Sequence, residues 1–125
     1  MLIGYPNEPP EKTARGRIVF ELFDQALPYT CENFRVLCTG EKSQQQHYQG
    51  SRIHRVVTNY CMTGGDTSMA KDGEGGKSIY KEEDFDIYAK DGLFDDEPAW
   101  YPHTHLGTIS MNNKGPNTNG SQFII

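Results

Sequence analysis

Residues 109–125 read ISMNNKGPNTNGSQFII, two apolar runs separated by a dense cluster of turn formers, Gly115-Pro116-Asn117-Thr118-Asn119-Gly120. Leu106 to Met111 reads as a strand, and Phe123-Ile124-Ile125 as the start of another. An apolar strand at this position requires a partner and a cover from elsewhere in the fold.

Working outward, Ile53 to Met62 alternates apolar and polar residues around His54-Arg55, which predicts one or two short strands bent at Thr58-Asn59. Gly64-Gly65 ends that segment. Further back, Arg17-Ile-Val-Phe-Glu-Leu-Phe23 is short and β-rich, with Ile18, Phe20 and Leu22 on one face and Val19, Glu21 and Phe23 on the other. Pro28 and Thr30 open a helix along which Cys31, Phe34, Leu37 and Cys38 recur at helical spacing. Gly40 stands where a left-handed cap would close it. Residues 41–50 are a polar loop, 67–76 a small-residue loop, and 81–102 an acidic segment dotted with aromatics. Residues 1–14, rich in Pro, Asn, Glu and Lys, predict a poorly ordered tail.

The 125 residues suffice for a single domain. With 7 Tyr, 6 Phe and 35% hydrophobic residues, the chain is too apolar and aromatic to be disordered. No run approaches the roughly 18 apolar residues of a membrane span, and the opening MLIGYPNEPPEK lacks the basic and apolar regions of a secretory signal. A cytoplasmic setting with no membrane partner is therefore expected. The net charge of −5 argues against a nucleic-acid partner. The acidic run from Glu82 to Glu97 lacks calcium-loop spacing and reads as a solvated loop.

Several motifs fail on spacing. Gly73-Glu-Gly-Gly-Lys-Ser78 has Lys71 where a phosphate loop needs its first glycine. His54, His103 and His105 have no further ligand set by spacing, so no metal is expected. Cys31 and Cys38 lie roughly 10 Å apart along one helix, beyond disulfide reach, and three cysteines with no C-x-x-C predict free thiols. The chain has no Gly-x-Ser-x-Gly elbow.

Four blocks taken together carry more than any of them alone: Glu32-Asn-Phe-Arg-Val-Leu-Cys-Thr-Gly-Glu-Lys42, His54-Arg-Val-Val57 six residues before Gly64-Gly65-Asp66, Gly75-Gly-Lys-Ser-Ile-Tyr80, and Ile109 to Phe123. In this order they resemble the cyclophilin family of peptidyl-prolyl cis-trans isomerases, from about Arg15 to Ile125. The resemblance implies a mainly β fold: a cyclophilin-like antiparallel β-barrel with a capping helix, spanning 15–125. That barrel is expected to be incomplete, because the family's chain continues for several dozen residues past the position of Ile125 and supplies a tryptophan, a leucine and a histidine of the pocket. The family's first strand is not evident in residues 1–14.

The implied reaction is rotation about the peptide bond preceding proline, opposed by about 18–20 kcal/mol of amide resonance. No bond breaks and no cofactor is required. Such a catalyst grips the proline ring in an apolar pocket and offers a fixed donor to the prolyl nitrogen, localising its lone pair in the twisted state. A permanently charged, rigid guanidinium suits that role. By resemblance Arg55 matches the catalytic arginine, Asn113 the asparagine whose backbone holds the residue before proline, and Tyr60 a pocket phenylalanine. Departures fall at the remaining substrate-binding positions. Asn112 stands for an alanine, while Cys61 stands for a methionine, Thr63 for a glutamine and Ile124 for a phenylalanine flooring the pocket, and each of these large-to-small changes loosens the grip on the ring. Asp84 to Leu93 reads as an insertion.

Two functions follow. The first is an isomerase of X-Pro bonds acting on Pro-containing segments and unfolded clients; the second is a catalytically weak module that binds Pro-containing peptides. Arg55 favours the first; Cys61, Thr63 and Ile124 favour the second. A barrel remnant without a groove is the third alternative. The sequence sets no oligomeric state.

Overall fold

Pro28 at the first turn, followed by Tyr-Thr-Cys-Glu-Asn-Phe, starts the one helix among the described residues, α1 (Pro28–Thr39). The structure, a computed structural model, describes residues 2–3, 14–82, 87 and 90–125. Leu27 at the N-cap provides no side-chain bond to the helix. Instead the Glu97 carboxylate, far along the chain, accepts from the backbone N–H groups of Thr30 (2.7 Å) and Tyr29 (3.3 Å). That places negative charge on the positive end of the helix and satisfies two of its free donors. Gly40 closes α1 in the left-handed region at φ 69°, its N–H donating to the Val36 carbonyl at 2.8 Å. A side chain there would collide with the His47 ring, 2.5 Å from the position of its Cβ.

Two short strands, β1 (Leu2–Ile3) and β2 (Ala14–Arg15), pair antiparallel. The main sheet is antiparallel and contains β3 (Ile53–Val57), β4 (Cys61–Gly64), β5 (Ser110–Met111) and β6 (Phe123–Ile124), in the order β3-β4-β6-β5. The bend expected at Thr58-Asn59 is a turn, with Asn59 at φ 60°. Ile125 extends the β4–β6 ladder by exchanging two backbone bonds of 2.9 Å with Met62.

Helix and sheet meet through aromatic rings. Phe34, Tyr48 and Phe123 form a triad with centroids 5.4–5.8 Å apart. Val36, Leu37 and Ile79 form one apolar cluster, and Ile87 with Phe94 a second that Tyr29, Tyr80 and Met111 border. Asn33, fully buried, links three segments. Its amide donates to the Gly120 carbonyl and accepts from the Ile79 N–H, both at 2.9 Å.

The mainly β, antiparallel architecture with one helix agrees with expectation, but the barrel does not. Among the described residues the sheet is open, with β3 and β5 as its edges. Arg17–Phe23, expected as a strand, joins no ladder among the described residues. A strand needs a backbone partner, and none of the described residues supplies one. Phe20 still packs edge-on to Phe34 at 5.7 Å, whereas Val19 is 83% exposed. The strand expected from Leu106 is confined to Ser110–Met111, Leu106 being fully exposed. Cys38 lies on the exposed side of α1 while Asn33 and Val36 take the buried side. The expected tail falls mainly on residues 1 and 4–13, outside the described residues. So do 84–86 and 88–89 of the expected insertion, whose end forms a Lys90–Leu93 bridge.

Candidate functional site

Register across the sheet determines which side chains meet. Arg55 lies opposite Thr63, Thr63 opposite Ile124, and Ile124 opposite Ser110. Directly opposed residues of antiparallel strands project to the same face, so these four form one row. Cys61, two residues before Thr63, shares that face by alternation. Gly64, Phe123 and Met111 form the neighbouring row on the opposite face, where Phe123 meets Phe34 and Tyr48. The sheet thus divides a core face from a face carrying Arg55, Cys61, Thr63 and Ile124.

A bulge aims Arg55. Ile53 pairs with Gly64 and Arg55 with Thr63, which leaves His54 as the extra residue. The His54 ring packs on the backbone of Gly73, whose φ of 90° and lack of a Cβ allow the approach; a Cβ there would sit 2.5 Å from the ring. His54 Nδ1 is buried with no hydrogen-bond partner. Arg55 is exposed, and among the described residues no carboxylate pairs with it. Arg35, the arginine of the helix motif, is occupied by Glu32 (2.7 Å) and Glu41 (2.6 Å). The two arginines therefore differ in availability.

Asn112 and Asn113 leave the end of β5 beside β6. Asn112 donates from its backbone to the Gln122 carbonyl (3.0 Å) and from its amide to Gln122 Oε1 (3.1 Å). Asn113 uses both side-chain amide atoms, donating to Asn119 Oδ1 (3.0 Å) and accepting from the Gly115 N–H (3.3 Å). Tyr60 lies in the β3–β4 turn and is 78% exposed. Thr63 is buried and Cys61 and Ile124 are half-buried.

Residues not singled out from sequence support this face. Gln122 donates through Nε2 to the carbonyls of Gly73 (2.8 Å) and Gly75 (2.7 Å), fastening the 66–76 loop beside β6. Asp66, almost fully buried, organises that loop from within. Burial opposes its charge, but the Ser68 hydroxyl and the N–H groups of Ser68, Gly73 and Gly75 outweigh burial. They hold the carboxyl below its usual range. The Ser121 hydroxyl donates to the Gly65 carbonyl at 2.6 Å, and the Tyr48 hydroxyl to the Ser121 carbonyl at 2.6 Å. Burial raises the Tyr48 phenol, which keeps it a donor. The sequence signal was present in Gly-Gly-Asp and Gly-Ser-Gln, small residues flanking one polar side chain, but it did not indicate which backbone each would bind.

Of the rejected motifs, His103 reaches the end of the Arg55 row, its Nε2 bonding Ser110 Oγ at 2.8 Å, whereas His105 bonds Thr104 at 2.8 Å. Among the described residues no group of three His, Cys, Asp or Glu could hold a metal. The three cysteines are free, and burial raises the thiol of Cys31. No helix among the described residues is long and apolar enough to cross a membrane. A shallow hollow lined by Lys90, Asp91, Leu93, Asp95 and Asn117 shares no residue with the Arg55 face.

The arrangement is a helix-backed antiparallel sheet that presents Arg55, without a carboxylate partner among the described residues, in one row with Thr63 and Ile124, flanked by a turn rich in backbone donors and acceptors. The family model for cyclophilin type peptidyl-prolyl cis-trans isomerase/CLD matches residues 11–125, and the chain belongs to that family. The match starts slightly ahead of Arg15, where the resemblance in sequence was drawn.

Proposed function

We propose that this chain catalyses rotation about X-Pro peptide bonds, with Arg55 as the catalytic residue. Family membership makes isomerase chemistry the general expectation. The observation that carries the reading to this chain is the row Arg55–Thr63–Ile124, a cation with no carboxylate partner among the described residues on the same face as a half-buried apolar side chain. In this reading the proline ring lies toward Ile124 and Cys61, and the backbone of Asn113 holds the residue before proline. Thr63 and Asn112 border the chain, and Tyr60 stands at the rim. The Arg55 guanidinium donates to the prolyl nitrogen as its lone pair localises. A planar amide offers no such acceptor, so the bond strengthens only in the twisted state. Clients are Pro-containing segments of unfolded or flexible chains, where uncatalysed rotation takes tens of seconds or longer. Folding assistance in the cytoplasm fits such a role.

The exposure of Tyr60 favours a second reading, a module that holds Pro-containing peptides and accelerates rotation weakly. Exchange NMR on a short Ala-Pro peptide separates the two. Exchange cross-peaks with the parent that fade with Arg55→Ala support the isomerase; binding without exchange, from a sample with dispersed folded signals, supports the module.

A further inference from the structure

The turn after β5 and the 66–76 loop are joined by one ion pair across 40 residues of sequence, Lys114 Nζ to Glu74 Oε2 at 3.0 Å. Both ends have rigid backbones. Lys114 N–H donates to Thr118 Oγ1, Thr118 Oγ1 donates to the Gly115 carbonyl, and the Gly115 N–H donates to Asn113. Glu74 sits between Gly73 and Gly75, whose carbonyls Gln122 holds and whose N–H groups Asp66 holds. The two side chains of the pair are 72% and 77% exposed. An ion pair so exposed contributes little to stability. It does determine what charge is on offer beside Asn113.

We propose that Lys114 selects substrates with an acidic residue on the N-terminal side of the proline, and that Glu74 is an internal competitor for the same ammonium. The proposal rests on the isomerase reading in one respect: Asn113 holds the residue before proline, so Lys114, next in the chain, is within side-chain reach of the segment leading into it. A carboxylate arriving there exchanges one exposed ion pair for another. Removing Glu74 frees the cation without removing it. A pair that merely straps loop to turn behaves otherwise, because loss of either partner breaks the strap alike.

The test uses two blocked peptides, Glu-Ala-Pro-Ala and Ala-Ala-Pro-Ala, with the full chain, Glu74→Gln and Lys114→Met. Exchange NMR reads turnover and chemical-shift titration reads Kd. At low salt the parent should favour the Glu peptide by about two- to fivefold, the range of an exposed ion pair. Glu74→Gln should widen that preference and Lys114→Met abolish it, and 0.5 M salt should flatten the preference of the parent and of Glu74→Gln by screening. Preferences shifting in the same direction in both variants, or a parent indifferent to the Glu, overturn the proposal while turnover on the Ala peptide leaves the isomerase reading standing. Glu-dependent binding without turnover on either peptide does the reverse. Neither binding nor turnover overturns both.

Discussion

In the proposed mechanism Arg55 is available to a substrate because no carboxylate among the described residues occupies it, whereas Arg35 has two. Its side chain is exposed, so truncation costs the fold little. Arg55→Ala should reduce the catalysed exchange rate by about a hundredfold or more, the scale of losing a donor aimed at the transition state, with an unchanged thermal midpoint. A variant as fast as the parent would remove Arg55 from the mechanism. Asp66 has the opposite character, since it is buried and spends its charge on the N–H groups of Ser68, Gly73 and Gly75. Its carboxyl titrates lower in the fold than in the unfolded chain. Its contribution is therefore complete above the unfolded value near 4 and is lost as pH falls through the folded value. Hydrogen-exchange protection at the Gly73 and Gly75 amides, taken relative to the intrinsic rate at each pH, should be high at neutral pH and fall on acidification below about pH 4, earlier than global unfolding. Asp66→Asn should flatten that dependence.

The helix depends on partners outside itself. α1 has no side-chain N-cap of its own and borrows Glu97, so Glu97→Ala should destabilise the chain by about 1 kcal/mol, the usual value of a cap. Urea midpoints measure this, and an unchanged midpoint would mean that water caps the helix equally well. Asn33 is the stronger case. Its amide serves Gly120 and Ile79 at once in a site closed to solvent. Asn33→Leu leaves a buried carbonyl and a buried N–H without partners, at about 1–3 kcal/mol each, and should lower the urea midpoint several times further than Glu97→Ala.

The whole molecule presents open sheet edges among its described residues. On β3 the outward Val56 is 71% exposed. An edge carrying apolar side chains is a template for another strand. Val56→Lys should suppress concentration-dependent association in light scattering and leave the urea midpoint within about 0.5 kcal/mol, as expected for a surface site. Association that persists at the same concentrations would locate the contact elsewhere, with the exposed Val19 and Phe23 of the 17–23 segment as the next surface.

What local chemistry controls was legible from residues alone. The Gly40 cap, the helix entered at Pro28, the Thr58-Asn59 bend and the strand at Phe123 each depend on conformational preferences that act within a few residues. Family membership followed from blocks of side chains whose order survives without knowledge of the contacts they make. Whether Arg17–Phe23 pairs, whether the sheet closes, and which face Cys38 takes were decided only in three dimensions. A ladder needs a second backbone, and a helix buries whichever stripe its neighbours cover. The same holds for the site: one sequence alternation is compatible with either face, and it was the Arg55–Thr63–Ile124 register, with His54 bulged out of it, that brought those side chains into one row.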